Sequence, residues 1–120
     1  MTVLASVFVA IVAALHAGFL VLEMFLWRTP YGLRTFHMTK EVAESSAVLA
    51  ANQGLYNGFL AAGLIWGLAA YGVVSGRAII TFFLLCVIAA GLYGAATVSR
   101  RIALIQALPA AIALALVWLS

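Results

Sequence analysis

Polar side chains able to bind a ligand or carry out chemistry concentrate in one stretch of this chain. Residues 51–58 read Ala-Asn-Gln-Gly-Leu-Tyr-Asn-Gly and carry Asn52, Gln53, Tyr56 and Asn57 within an otherwise apolar segment. In a membrane, carboxamides and phenols must find partners or line a cavity, because hydrocarbon offers them no water. Polar residues within a membrane are therefore candidates for a functional site. Four in six positions exceed what helix packing needs, so the stretch predicts a cavity lining.

Two titratable side chains, His16 and Glu23, lie in the preceding apolar run. They are seven residues apart and share one face of a helix. One interpretation gives them a role in binding a ligand or a proton. The other is structural: His16 hydrogen-bonds to Tyr56 or Asn57, and Glu23 reaches the interface or pairs with an arginine such as Arg28, Arg100 or Arg101. The sequence leaves both interpretations open.

The composition identifies the class of protein. Hydrophobic residues make up 68% of the 120, charged residues make up 8%, and the mean hydropathy is +1.23. These values are those of an integral membrane protein, whose first partner is the lipid bilayer. The net charge of +3 is too small and too dispersed to indicate a nucleic-acid partner. Cys86 is the single cysteine, so no disulfide forms within the chain.

The pattern predicts an all-α fold, a four-transmembrane-helix bundle that forms a single domain over residues 1–120. Pro30 and Gly32 end the first span, and Thr39 is the predicted N-cap of a helix that runs to about Val74. Pro109 falls inside the fourth span and predicts a kink. The predicted spans are about 3–27, 47–74, 78–98 and 102–119, with a polar connection at about 28–46.

Basic residues predict the orientation. The first and third connections hold Arg28, Arg34, Lys40, Arg100 and Arg101, whereas the second holds only Arg77. Short cytoplasmic loops are enriched in Lys and Arg, so we expect both termini to face outward from a bacterial inner (plasma) membrane. The pairs Gly54/Gly58 and Gly63/Gly67 allow close helix approach, and they predict a homo-oligomer through glycine-rich faces.

The polar residues of all four predicted spans lie at a similar predicted depth in the membrane. Tyr93 precedes the third connection and Gln106 follows it, which places both near the same side as Glu23 and the 52–57 stretch. The outward half is almost purely apolar. The sequence therefore predicts a polar pocket open to the cytoplasm and lined by His16, Glu23, Asn52, Gln53, Tyr56, Asn57, Tyr93 and Gln106.

Three functions fit this pattern. The first, which the sequence favours, is binding or transport of a small molecule, with His16 and Glu23 linking it to protons. The second is a membrane-embedded enzyme that uses His16 and Glu23 as acid and base on a hydrophobic substrate. The third is a structural or assembly role. Metal-ligand motifs, hydrolase motifs and phosphate loops are absent from the sequence, which predicts no metal site and requires no cofactor.

Several motifs resemble a known family. His16 with the run Glu23–Trp27, followed by Ala50–Leu64 around Asn-Gln-Gly-Leu-Tyr-Asn-Gly, is similar to the small bacterial and fungal membrane proteins grouped as domain of unknown function 1304. The later segments Gly91–Gly94 and Gln106–Pro109 fit the same pattern, so the resemblance covers nearly the whole chain. It implies four transmembrane helices and brings no established activity.

Overall fold

The computed structural model describes all residues from Met1 to Ser120, and it is helical with no strands, which confirms the all-α prediction. Two π-helical turns interrupt the α-helices: Gly67–Tyr71 joins α3 to α4, and Ala103–Ala107 leads into α6. The α-helices are α1 (Thr2–Met24), α2 (Pro30–Thr35), α3 (Lys40–Trp66), α4 (Gly72–Ser75), α5 (Arg77–Thr97) and α6 (Leu108–Trp118).

Three helical segments are long and apolar enough to cross a membrane. They are α1, the continuous segment Lys40–Ser75, and α5. The fourth apolar segment, Ala103–Trp118, is shorter and extends about 24 Å at 1.5 Å per residue. These lengths and compositions indicate a membrane protein. The depth at which each helix enters the bilayer stays a prediction.

The polar connection contains a helix, α2, that the sequence analysis did not predict. The Thr29 hydroxyl accepts a hydrogen bond from the Gly32 N–H at 3.2 Å, and Pro30 occupies the first turn, where its missing N–H has no cost. Pro30 therefore starts a helix after α1 has already ended at Met24. His37, at φ 53°, terminates α2 in the left-handed conformation. Thr39 then caps α3 by accepting from the Val42 N–H at 3.2 Å.

The contacts divide the chain into two compact units. One comprises residues 15–59, and the other comprises residues 1–14 together with 60–120. The single domain of the sequence analysis stays a prediction. In the second unit a core of small and branched apolar side chains is fully buried, and its members include Ala5, Val9, Val12, Leu64, Ile80, Leu84, Val87, Ala110, Ala113 and Val117.

Within that second unit, α5 packs tightly against the π-helical turn that precedes α6. A Cβ on Gly91 would lie 2.7 Å from the backbone nitrogen of Ala107 and 2.8 Å from its Cβ. The turn ends just before Pro109, which has no N–H to offer the carbonyl of Ile105. Where the sequence predicts a kink near Pro109, the structure has a π-helical turn, and its close approach to α5 requires a glycine at position 91.

We expect Gly91→Ala to destabilise the protein by about 1–3 kcal/mol, because the added methyl group meets backbone that cannot rotate away. The measurement is thermal unfolding in detergent, followed by circular dichroism. Gly18→Ala is the matched control, since a Cβ at Gly18 has no neighbour within 4 Å. Equal melting temperatures for the two variants would contradict the packing argument.

Candidate functional site

The polar centre of residues 15–59 is a hydrogen bond between α1 and α3. Asn57 Nδ2 donates to Glu23 Oε1 at 2.5 Å, and both side chains are half-buried. Glu23 lies one residue before the end of α1, and Asn57 lies in the second half of α3. The bond therefore joins two helices at residues that are 34 positions apart in the sequence.

Two glycines set the approach of α3 to α1. A Cβ on Gly54 would lie 2.7 Å from Met24 Cγ and 3.0 Å from Glu23 Cβ, and a Cβ on Gly58 would lie 2.5 Å from Leu20 Cδ1. Larger residues at these positions would push the helices apart. Asn57 lies between the two glycines in sequence, so it faces α1 at the level of Glu23.

The glycine pairs therefore pack within the chain. In the other unit, Gly63 lies against the Phe83 ring and Gly67 against Ile80, just as Gly54 and Gly58 lie against α1 in theirs. The sequence predicts a homo-oligomer through these glycine-rich faces. The homo-oligomer stays a prediction, but each glycine face already holds side chains of its own unit.

His16 is fully buried, with its ring edge-on to Phe19 at a centroid distance of 5.2 Å. Seven residues separate it from Glu23, which is a rise of about 10 Å along α1. The two titratable groups therefore share a helix face but lie at different levels.

The other polar side chains of the 52–57 stretch are exposed. Asn52, Gln53 and Tyr56 lie on the surface of the chain, and Tyr56 keeps 51% of its accessible area. The Tyr56 ring contacts Phe59 one turn later at a centroid distance of 6.0 Å. The structure thus brings Asn57 to Glu23 and leaves three of the four predicted lining residues on the outer sides of α3.

Tyr93 and Gln106 belong to the other unit. Tyr93 is 74% exposed near the end of α5, and Gln106 is half-buried in the π-helical turn before Pro109. Their membership of a common pocket with Glu23 stays a prediction. No group of three or more His, Cys, Asp or Glu side chains is arranged to hold a metal ion.

The electrostatics at Glu23 favour a cation. The C-terminal end of a helix carries partial negative charge on its free carbonyl groups, and the last turn of α1 holds no basic residue. Glu23 adds a carboxylate there and bonds to the neutral Asn57 rather than to Arg28. A positively charged partner would therefore stabilise the Glu23 carboxylate at this end of α1.

The sequence predicts both residues as pocket lining but does not predict their pairing. The usable signal was the spacing of Asn57 from the glycines: it lies three residues after Gly54, on the same side of the helix. A polar residue on a glycine face points at the packed neighbour. Asn52 and Tyr56 do not share that face, which explains their exposure.

Comparison with known proteins gives a family and one curated relative. The model of the family described as "Protein of unknown function (DUF1304)" matches residues 10–118. The chain is 34% identical over 108 residues to the uncharacterized protein YpaA of Lactococcus lactis subsp. lactis (strain IL1403), a match that covers 88% of this chain and 89% of the relative. No solved structure matches.

We expect Asn57→Leu to lower stability by about 1–3 kcal/mol, because it removes the hydrogen-bond partner of a half-buried carboxylate. Thermal unfolding in detergent measures the change. Gln53→Leu is the control, since it removes a carboxamide of the same helix from an exposed position. A variant at position 57 as stable as the control would show that the hydrogen bond contributes nothing.

Proposed function

The chain belongs to the DUF1304 family of proteins of unknown function, and we propose that it binds small organic cations at the Glu23–Asn57 pair and carries them in exchange for a proton. The observation that carries the proposal is the hydrogen bond that anchors the Glu23 carboxylate between α1 and α3. A carboxylate in a membrane helix is costly and persists where it has a function.

The oxygen atoms that the pair leaves for a ligand are hydrogen-bond acceptors. Asn57 uses its amide nitrogen on Glu23 Oε1, so the second carboxylate oxygen and the Asn57 carbonyl oxygen remain. The adjacent carbonyl groups at the end of α1 are acceptors too. A ligand that donates hydrogen bonds and carries positive charge, such as an ammonium or a guanidinium group, suits these acceptors.

Proton exchange follows from the same chemistry. A protonated Glu23 is neutral, keeps its bond to Asn57 through the carbonyl oxygen, and has no charge with which to hold a cation. A deprotonated Glu23 needs a positive partner. Cation and proton therefore compete for one carboxylate, which is the minimum requirement for coupled exchange.

The proposal includes a polar pocket that opens to the cytoplasm. The basic residues of the first and third connections favour a cytoplasmic location for the end of α1, where Glu23 lies. His16, deeper along the same helix, forms the inner end of the proposed pocket. We assign Gln53 and Tyr56, which are exposed on α3, to its entrance.

Binding is favoured over catalysis by the positions of the two titratable groups. An acid and a base that act on one bond must both reach it within hydrogen-bonding distance. His16 and Glu23 differ in level by about 10 Å along α1, and His16 is fully buried against Phe19. A cation site needs only the carboxylate.

The test measures proton release when cations are added to the purified protein. A panel of methylammonium, guanidinium and tetramethylammonium is added in weakly buffered detergent with a pH indicator. We expect about one proton per bound cation from the wild type and none from Glu23→Gln, which retains an oxygen for Asn57 but cannot ionise. Glu41→Gln, in the exposed first turn of α3, should behave as the wild type.

The remaining outcomes separate the alternatives. Equal release from the wild type and Glu23→Gln, or no release with any cation, would overturn the proposal. If the protein bound cations and released protons, but added cations caused no pH change inside proteoliposomes, the binding part of the proposal would stand and transport would be excluded. A product formed from membrane lipid extract, and lost in His16→Ala, would favour the membrane-embedded enzyme.

A further inference from the structure

A second face of α3 is unoccupied in residues 15–59. Five exposed residues recur along it at intervals of three and four: Ser45, Val48, Asn52, Leu55 and Phe59. We call these five residues the α3 seam. Val48 retains 83% of its accessible area, Leu55 retains 41% and Phe59 retains 55%. Leu49, at 74%, flanks the seam and widens its apolar surface.

The spacing of the seam is the one by which helices pack in left-handed pairs. Alternating steps of three and four give a repeat of 3.5 residues, which keeps one stripe of a helix facing its partner. Gly54 and Asn57 lie on the opposite side and pack against α1. One face of α3 is thus occupied within the chain, and the other has the pattern of an interface.

Asn52 lies at the centre of the seam. Its carboxamide has two donors and one acceptor, and no hydrogen bond to another residue of the chain engages them. Lipid tails cannot satisfy such a group. A second carboxamide can satisfy it, because each amide offers both a donor and an acceptor to the other.

We infer that copies of this chain associate in parallel along the α3 seam, with Asn52 hydrogen-bonded to Asn52 of the neighbouring copy. The identity of the partner follows from two features. The carboxamide is self-complementary, so a symmetric contact satisfies both copies. The five-to-one distribution of basic residues favours the same orientation for every copy, and in that orientation equal positions of α3 lie at equal depth.

This association uses a face that the proposed cation site does not use. Glu23 and Asn57 remain on the side of α3 that contacts α1. The Asn52 pair sets the alignment of the two helices, as a single asparagine does at a core position of a coiled coil. Val48, Leu55 and Phe59 add packing on either side of it.

Disulfide cross-linking in native membranes tests the α3 seam. In a Cys86→Ser background, single cysteines are placed at Val48, Leu55 and Phe59 and oxidised with copper phenanthroline. We expect covalent dimers at all three positions. Val42 and Gln53 are the controls, because both are exposed on α3 but lie away from the seam. Equal cross-linking at all five positions, or none at the seam, would overturn the inference.

The role of Asn52 has its own measurement. Energy transfer between labelled copies in liposomes reports the association constant as lipid dilutes the protein. We expect Asn52→Leu to weaken association by about three- to thirtyfold, the range for one interhelical hydrogen bond in a membrane. Asn52→Gln should restore most of it, and Gln53→Leu should have no effect. Unchanged association in Asn52→Leu would exclude the amide pair.

The two proposals fail independently. Glu23→Gln should cross-link through the α3 seam as efficiently as the wild type, because the carboxylate lies on the other side of α3. Asn52→Leu should still release a proton when it binds a cation. If Asn52→Leu abolished proton release as well, the seam would be part of the cation site and the proposed interface would be wrong.

Discussion

The absence of water in hydrocarbon constrains the polar side chains within the apolar stretches of α1 and α3. A carboxylate at the end of α1 and a carboxamide on α3 satisfy each other across two helices, and they can do so only because Gly54 and Gly58 let the backbones approach. The close contact of the two helices and the Glu23–Asn57 hydrogen bond therefore depend on each other. A larger residue at either glycine would separate Glu23 from Asn57 before it affected the rest of the fold.

The same constraint gives α3 two different faces. On one, small residues and Asn57 pack against α1, so the polarity is satisfied inside the chain. On the other, Asn52 stands among exposed apolar residues and bonds to no other residue. Since lipid tails offer a carboxamide no hydrogen bond, the inferred contact between two copies would give Asn52 a partner, as α1 gives one to Asn57. The proposed cation site uses the first face, and the inferred contact between copies uses the second.

The sequence predicts the fold class and the polar residues of the candidate site, but it does not predict which residue each of them contacts. Composition and run length predict apolar helices, and the Thr39 cap is readable from its residue type. The α2 helix was missed because Pro30 was interpreted as ending one helix rather than starting the next. The predicted cavity placed Asn52, Gln53, Tyr56 and Asn57 together, although consecutive positions on a helix point in different directions. Only the glycine spacing distinguishes Asn57, and depth alone cannot make that distinction.

The position of Glu23 at a helix end explains how a charge in such a chain can be both tolerated and useful. Near the middle of α1 a carboxylate would need a permanent partner, and a permanent ion pair would leave nothing to bind a ligand. At the last turn the neutral Asn57 stabilises the group without neutralising it, and the free carbonyl groups of the helix add negative potential. The remaining negative charge is what a cation or a proton can compensate. A neutral partner rather than Arg28 is therefore the feature that supports the proposed binding site over a structural ion pair.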